Sequence, residues 1–325
     1  KSVSIDAPKS LSFNGAETSW KARFYFLYDK NERHYYVNCH NCNYSNSFKW
    51  FLRGEFPTVF KSYMMEEFKE KIKDRETIDD KIDKVISKTN KIDISSLEGK
   101  VLLSKHAQSL KSITDKETID YCKEICFTYK HYEELYFVED FGKFNRLMGS
   151  DKRYWQGNDK RIIIPFFEGG VLIGWQGRAI DKNNKKKYIT VSMGISDNLL
   201  FGVDDIVESK TIFVTEGALD ALFLDNTIAV NGLNKFDNEF TQYHKNNVIL
   251  ILDNEKRNQA VSNEIKRLLD KGFSVYYNDG DLIGKDINDY FINNDITKEE
   301  LQKTIRENAT KGLMGKLNYI RYLKS

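Results

Sequence analysis

The sequence predicts an α/β multidomain protein. Its parts are a small β-rich N-terminal domain, a charged linker, a basic α+β subdomain, a parallel sheet wrapped by helices, and a helical tail. Three observations lead there. Aromatic strand-like runs crowd the first sixty or so residues, and mixed charge with few aromatics follows from about Glu66 to Lys100. From about Thr211, strand and helix patterns alternate. At 325 residues the chain is long enough for two or three cores. A net charge of +2 excludes a globally basic nucleic-acid binder, so any such contact must come from local clusters. Four cysteines in two close pairs, Cys39/Cys42 and Cys122/Cys126, are too few for a disulfide scaffold. No apolar run reaches membrane-spanning length and no signal-peptide pattern is present, so a soluble protein of a reducing cytoplasm is expected.

The elements follow in order. Phe24–Tyr28 and His34–Val37 read as a hairpin around the polar turn Asp29–Glu32, and its second strand runs into Cys39-His40-Asn41-Cys42. The domain bounds expected are 1–60 for this unit and 61–114 for the linker. The basic subdomain follows over 115–205, the parallel-sheet domain over 206–295 and the tail over 296–325, helical throughout. Ile119, Cys122, Ile125 and Cys126 lie at helical spacing, with both cysteines expected as small buried hydrophobes. Arg161–Phe167 and Val171–Trp175 flank Glu168-Gly169-Gly170 as a second hairpin. Strands are predicted over 211–215, 247–252 and 273–277, and helices over 218–224 and 260–269.

Acids stand where each predicted strand gives way to a loop: Glu216, then Asp253 and Glu255, then Asp286 with Asp289. In open parallel sheets ligands collect beyond the carboxyl ends of the strands, so these acids are expected to converge. Oxygen ligands of this kind suit Mg²⁺ (or Mn²⁺) together with a substrate phosphate. The plain alternative is a set of solvated loop acids; three at successive strand ends make it the weaker reading. Gly217 is expected to let the backbone turn tightly after Glu216.

Thr215-Glu216-Gly217-Ala218-Leu219-Asp220 with Leu252-Asp253-Asn254-Glu255 resembles the Toprim domain of DnaG-type primases, topoisomerases and some nucleases. The resemblance implies that Glu216 is nearest the chemistry, Asp253 and Glu255 hold magnesium, and Asp286 is an outer metal partner. Many Toprim domains place two aspartates around one residue, whereas the second acid here is Glu255.

Upstream lies a basic segment: Arg161, Arg178, Lys182, Lys185, Lys186 and Lys187. The middle three lysines read as a solvated turn, while Arg178 and Lys187 abut β-like runs and are expected to be held in place. The order Arg161, Gly177-Arg178, Lys187-Tyr188-Ile189-Thr190, Leu200-Phe201-Gly202 and Glu216-Gly217 is similar to the polymerase core of phage primases of the T-even type. The likeness continues through Lys285-Asp286-Ile287-Asn288-Asp289 and Gly312-Leu313-Met314. It implies synthesis of RNA primers on single-stranded DNA from ribonucleoside triphosphates, in partnership with a hexameric replicative helicase in the cytoplasm of an infected bacterium. Arg161, Arg178 and Lys187 are then the expected nucleotide-binding residues.

Cys39 and Cys42 resemble one half of the primase zinc ribbon, which would contact template through Lys21, Arg23 and Lys49, with Tyr44 and Trp50 as stacking faces. Structural Zn²⁺ needs four ligands, and residues 9–15 carry no first cysteine pair. His34 as a third ligand, a ribbon without zinc, and a first knuckle upstream of Lys1 (the chain opens without an initiator Met) all stay open. Two rival functions remain as well, a Toprim nuclease and a non-catalytic replication adaptor.

Overall fold

The computed structural model describes residues 4–5, 24–29, 34–39, 44–67, 99–150, 159–194, 196, 198–280 and 282–324. Lys21, Arg23, His40 and Cys42 lie outside the described residues. The chain separates into two compact units, Lys1–Glu66 and Glu67–Ser325.

In the first unit β1 (Ser4–Ile5), β2 (Phe24–Asp29), β3 (His34–Cys39) and β4 (Ser45–Ser47) form an antiparallel sheet in that order. β2 and β3 are the predicted hairpin. The chain then enters α1 (Phe48–Glu55), whose first turn is capped by the Ser47 hydroxyl accepting from the Trp50 N–H, and α2 (57–67). Among the described residues of this unit, Trp50, Phe51 and Leu52 of α1, Phe60 and Met64 of α2, and Val37 and Cys39 of β3 are the buried hydrophobic ones. Phe26, Phe48, Phe51 and Tyr63 meet edge to face at 5.5–6.3 Å. Trp50 is only 3 % exposed, so it fills the core and is no stacking face for a base.

The second unit opens with α3 (Gly99–His106) and β5 (Gln108–Ser109), then α4 (Lys116–Glu124), α5 (Tyr129–Glu134), β6 (Tyr136–Val138) and α6 (Phe141–Leu147). A long hairpin follows, β7 (Arg161–Glu168) and β8 (Val171–Ala179), and then β9 (Tyr188–Ser192). These strands make an antiparallel sheet, β5-β6-β7-β8-β9. The hairpin turn falls on Gly169 and Gly170, both at positive φ, and the Asp204 carboxylate accepts from both N–H groups at 2.8 Å. The linker expected over 61–114 therefore ends too late: residues 99–112 are folded, and β5 pairs with β6 at the sheet edge. Its two-residue strand is too short to show as a pattern. Cys122 is fully buried as expected, but Cys126 is exposed. It sits just past the end of α4 at φ 62°, the left-handed turn that closes a helix.

A mostly parallel sheet follows: β10 (Ile212–Thr215), α7 (Ala218–Ala221), β11 (Thr227–Ala229), α8 (Glu239–Tyr243), β12 (Val248–Ile251), α9 (Gln259–Asp270) and β13 (Ser274–Tyr276). Then come α10 (Ile287–Asn293), α11 (Lys298–Asn308), β14 (Thr310–Lys311) and α12 (Gly312–Lys324). Strand order is β11-β10-β12-β13-β14, parallel throughout except for β14. β10 and β12 are buried along their whole length, which explains their unbroken apolar runs. The tail is thus not helical throughout. β14 extends the sheet, and Tyr319 of α12 is buried with its hydroxyl donating to Ser262 of α9 at 3.1 Å. No helix among the described residues is long and apolar enough to cross a membrane.

Trp175 anchors the antiparallel half: it is fully buried, donates to the Asn145 side-chain oxygen at 2.9 Å and meets Phe144 edge-on. Trp175→Ala is expected to lower the unfolding free energy by about 3–5 kcal/mol. Urea denaturation followed by circular dichroism checks it; a loss below about 1 kcal/mol would contradict this packing account.

Candidate functional site: a carboxylate cleft at the parallel-sheet rim

Because β10, β12 and β13 run parallel, the segments leaving them emerge at one rim. Thr215, Glu216, Asp220, Ile251, Leu252, Asp253, Asp286, Ile287 and Tyr290 line a cavity there of about 10 Å³, room for one water-sized occupant. Glu216, Asp253 and Asp286 are brought together as the sequence predicted. Glu255 lies at the outer rim, where its carboxylate accepts from Asn258 at 2.6 Å.

Electrostatics confirm the crowding. Burial raises the Asp253 carboxyl to about 7, and the charges of Glu216 and Asp286 add to the shift, with Lys285 opposing it. Burial, then Glu255, raises Glu216, against an N–H from Leu233 and the charge of Lys285. Asp286 is also raised by burial. One of its oxygens caps α10 by accepting from the Asp289 N–H at 2.9 Å, and the other faces Lys285.

Sequence reasoning missed two members. Asp220, four residues after Glu216 on α7, is driven well up by burial, Asp286 and Asp253, while the Asn288 N–H donates to it at 3.1 Å. Its place in the first turn of the helix that follows Glu216-Gly217 was the available signal. Lys285 is the other: its ammonium lies 3.6 Å from Glu255, 3.7 Å from Asp253 and 3.9 Å from Asp286. Gly217 also has a different role from the one expected. Its φ of −100° suits any residue, but a Cβ there would come within 2.9 Å of the Asp220 carboxylate.

The basic residues divide. Arg178 of β8 donates to the Tyr121 hydroxyl at 2.6 Å, lies over the Tyr188 ring at 4.3 Å, and is near enough to Asp286 to draw its carboxyl down. Lys187 is exposed just before β9. Arg161 does not face a ligand. Its guanidinium is 0 % exposed, pairs with Asp159 at 2.8 Å, donates to the carbonyls of Gly177, Lys186 and Lys187, and lies over Phe141. A buried charge needs such a complete set of partners, and through these carbonyls Arg161 ties β8 to the Lys186–Lys187 segment. In the first unit Lys49 is half-buried on α1 and Cys39 is buried, with its N–H donating to the Tyr44 carbonyl at 2.8 Å.

Among the described residues no three Asp, Glu, His or Cys side chains are placed to ligate an ion as they stand. The donor chemistry nonetheless fits a hard divalent cation. Carboxylates from three segments face one small cavity, and the Lys285 ammonium lies beside two of them, Asp253 and Asp286, and beside Glu255 at the outer rim.

No family model matches the chain. The catalytic core of the Escherichia coli primase aligns with TM-score 0.51 at 16 % identity, over 68 % of this chain and 82 % of that one. The Aquifex aeolicus primase structure, zinc-binding and RNA polymerase domains, gives TM-score 0.48 at 18 % identity, over 95 % and 79 %. Over the 68 % of the chain aligned with the Escherichia coli structure, the fold is that of a primase catalytic core. In sequence the chain is similar to one particular protein of that class, the DNA primase of Enterobacteria phage T4. The two are 28 % identical over 306 residues, 94 % of this chain and 86 % of that one. The resemblance to T-even-type primases read from the motifs accordingly extends along nearly the whole chain.

The raised Asp253 carboxyl has a consequence for stability without metal. The folded state holds that proton up to about pH 7 while the unfolded chain releases it near pH 4, so stability falls as pH rises between the two. Asp253→Asn is expected to stabilise the metal-free protein at pH 8 by about 2–4 kcal/mol, with little effect near pH 4. Denaturant titrations in EDTA at both pH values check this; equal stability at pH 8 would contradict the crowding.

Proposed function

We propose that the chain is a DNA primase that polymerises ribonucleotides on single-stranded DNA at the carboxylate cleft. One observation carries the reading: acids from three segments of a parallel sheet converge on a single small cavity, with Arg178 of the neighbouring sheet within electrostatic reach. The similarity to the T4 primase along 94 % of the chain supports it.

In this reading the parallel-sheet part is a Toprim domain. Asp253, Glu255 and Asp286 hold Mg²⁺, joined by Asp220 from α7, and Glu216 faces the growing 3′-hydroxyl. When bound, Mg²⁺ neutralises triphosphate charge and makes the hydroxyl a better nucleophile. Glu216, whose carboxyl is raised by burial, is suited to accept the hydroxyl proton. Arg178, held by Tyr121 and Tyr188, and exposed Lys187 bind the phosphates of the incoming ribonucleotide. Arg161 keeps both on station through the Gly177, Lys186 and Lys187 carbonyls. The N-terminal unit meets the template through Lys49 together with Lys21 and Arg23. A replicative helicase is the expected partner. Leu313, Leu317 and Ile320, exposed at helical spacing on α12, offer it an apolar row.

Incubation with single-stranded DNA, Mg²⁺ and labelled ribonucleotides should give short RNA. Glu216→Gln should lower its rate by about 10³-fold with DNA binding retained. Arg178→Ala should chiefly raise KM for ribonucleotides, by about tenfold or more. Strand breaks in place of RNA would favour the nuclease reading, and undiminished synthesis by Glu216→Gln would sink the assignment.

A further inference from the structure

We propose that Lys285 is a tethered counter-ion of the metal-free site, seated among the carboxylates and displaced outward when a divalent cation enters, so that it sets the site's cation affinity. The proposal rests on the reading that these carboxylates hold a divalent cation.

Three observations support it. First, the ammonium is shared and not paired. It stands 3.6, 3.7 and 3.9 Å from Glu255, Asp253 and Asp286, whereas Lys160 of the same chain holds Asp115 and Glu117 at 2.9 Å each. A position near the limit of ion pairing with three acids at once is that of a charge drawn to their common field. Second, the root of the side chain is fixed. The Lys285 carbonyl accepts from the Asn254 N–H at 2.6 Å, and its own N–H donates to Asp289 at 3.3 Å. Gly284 before it stands at φ +143°, with no room for a Cβ beside Asp289. Third, the remainder of the side chain is 54 % exposed, so it has solvent to move into. The charges acting on it from the neighbouring elements are Asp253 and Glu255 beyond β12, and Asp286 and Asp289 at α10.

One ammonium offsets one negative charge in a cleft that also holds Glu216 and Asp220. A divalent cation offsets two and binds carboxylate oxygens at about 2.0–2.1 Å, far closer than the ammonium stands. The two like charges repel strongly at such separations, so occupancy by one excludes the other. Lys285 therefore stabilises the metal-free fold and weakens metal binding together. A residue that serves only as a structural ion pair would do the first alone.

The test measures Mn²⁺ binding to the nucleotide-free full chain by electron paramagnetic resonance, and thermal melting in EDTA and in Mn²⁺. It compares wild type, Lys285→Gln, Lys285→Arg and Asp253→Asn. Lys285→Gln should bind Mn²⁺ about tenfold more tightly than wild type, melt lower in EDTA, and recover with Mn²⁺. Lys285→Arg, which keeps the charge, should bind like wild type. Unchanged or weaker Mn²⁺ binding by Lys285→Gln overturns the proposal. If Asp253→Asn loses Mn²⁺ while Lys285→Gln gains nothing, the carboxylate reading stands and the Lys285 proposal alone falls. If wild type and Asp253→Asn bind alike, both fall.

Discussion

Carboxylates gathered in a partly buried cleft repel one another, and the rest of this structure is arranged around tolerating that repulsion. Glu216, Asp220, Asp253 and Asp286 face one small cavity; burial raises all four, and neighbouring acids add to it, their own mutual charge at Asp220 and Asp253, Glu255 at Glu216 and Asp289 at Asp286. Positive charge reaches them from two sides. Lys285 comes from the segment that carries Asp286, and Arg178 from the antiparallel sheet. These two cations oppose the rise that burial imposes on the acids.

The scaffold keeps the acids from relaxing apart. Parallel pairing of β10, β12 and β13 forces their exits to one rim, and the Asn254 N–H ties the Asp253 loop to the Lys285 carbonyl. From the far end of the chain, the Tyr322 hydroxyl donates to the Asn254 side-chain oxygen at 2.7 Å, and Lys256 lies over the same ring at 4.5 Å. The C-terminal helix is thereby a brace of the acidic loop. On the other side His131 of α5 bonds the Leu222 carbonyl at 2.8 Å, and Asn288 donates to the Ile125 carbonyl at 3.0 Å. These contacts join α5 and the end of α4 to the end of α7 and to α10.

Much of this was legible in the sequence, and the losses have physical causes. The apolar runs within 211–215 and 247–252 marked buried parallel strands within a residue or two, because strands covered on both faces leave little polar to blur them, and 273–277 showed as well despite half-buried Ser274. Acids just past those runs marked the rim. Two- and three-residue strands such as β5, β11 and β14 have too few positions to show a period, so the linker was drawn too long and the tail too uniformly helical. The burial of Arg161 is not legible, because charge type says nothing of it. Only the fold reveals carbonyls of three residues and Asp159 closing around its guanidinium. Lys285 is not legible for the converse reason: its nearness to Asp253 and Glu255 arises from segments far apart in sequence.

Locating a bound cation directly tests the convergence of these acids. Fe²⁺ substituted for Mg²⁺, with ascorbate and peroxide, cuts a backbone within reach of the metal. The account predicts scission confined to three segments, near Glu216 to Asp220, near Asp253 to Glu255 and near Lys285 to Asp286, all suppressed by excess Mg²⁺. Cleavage at one of these segments without the others, or at sites that excess Mg²⁺ does not protect, would contradict it.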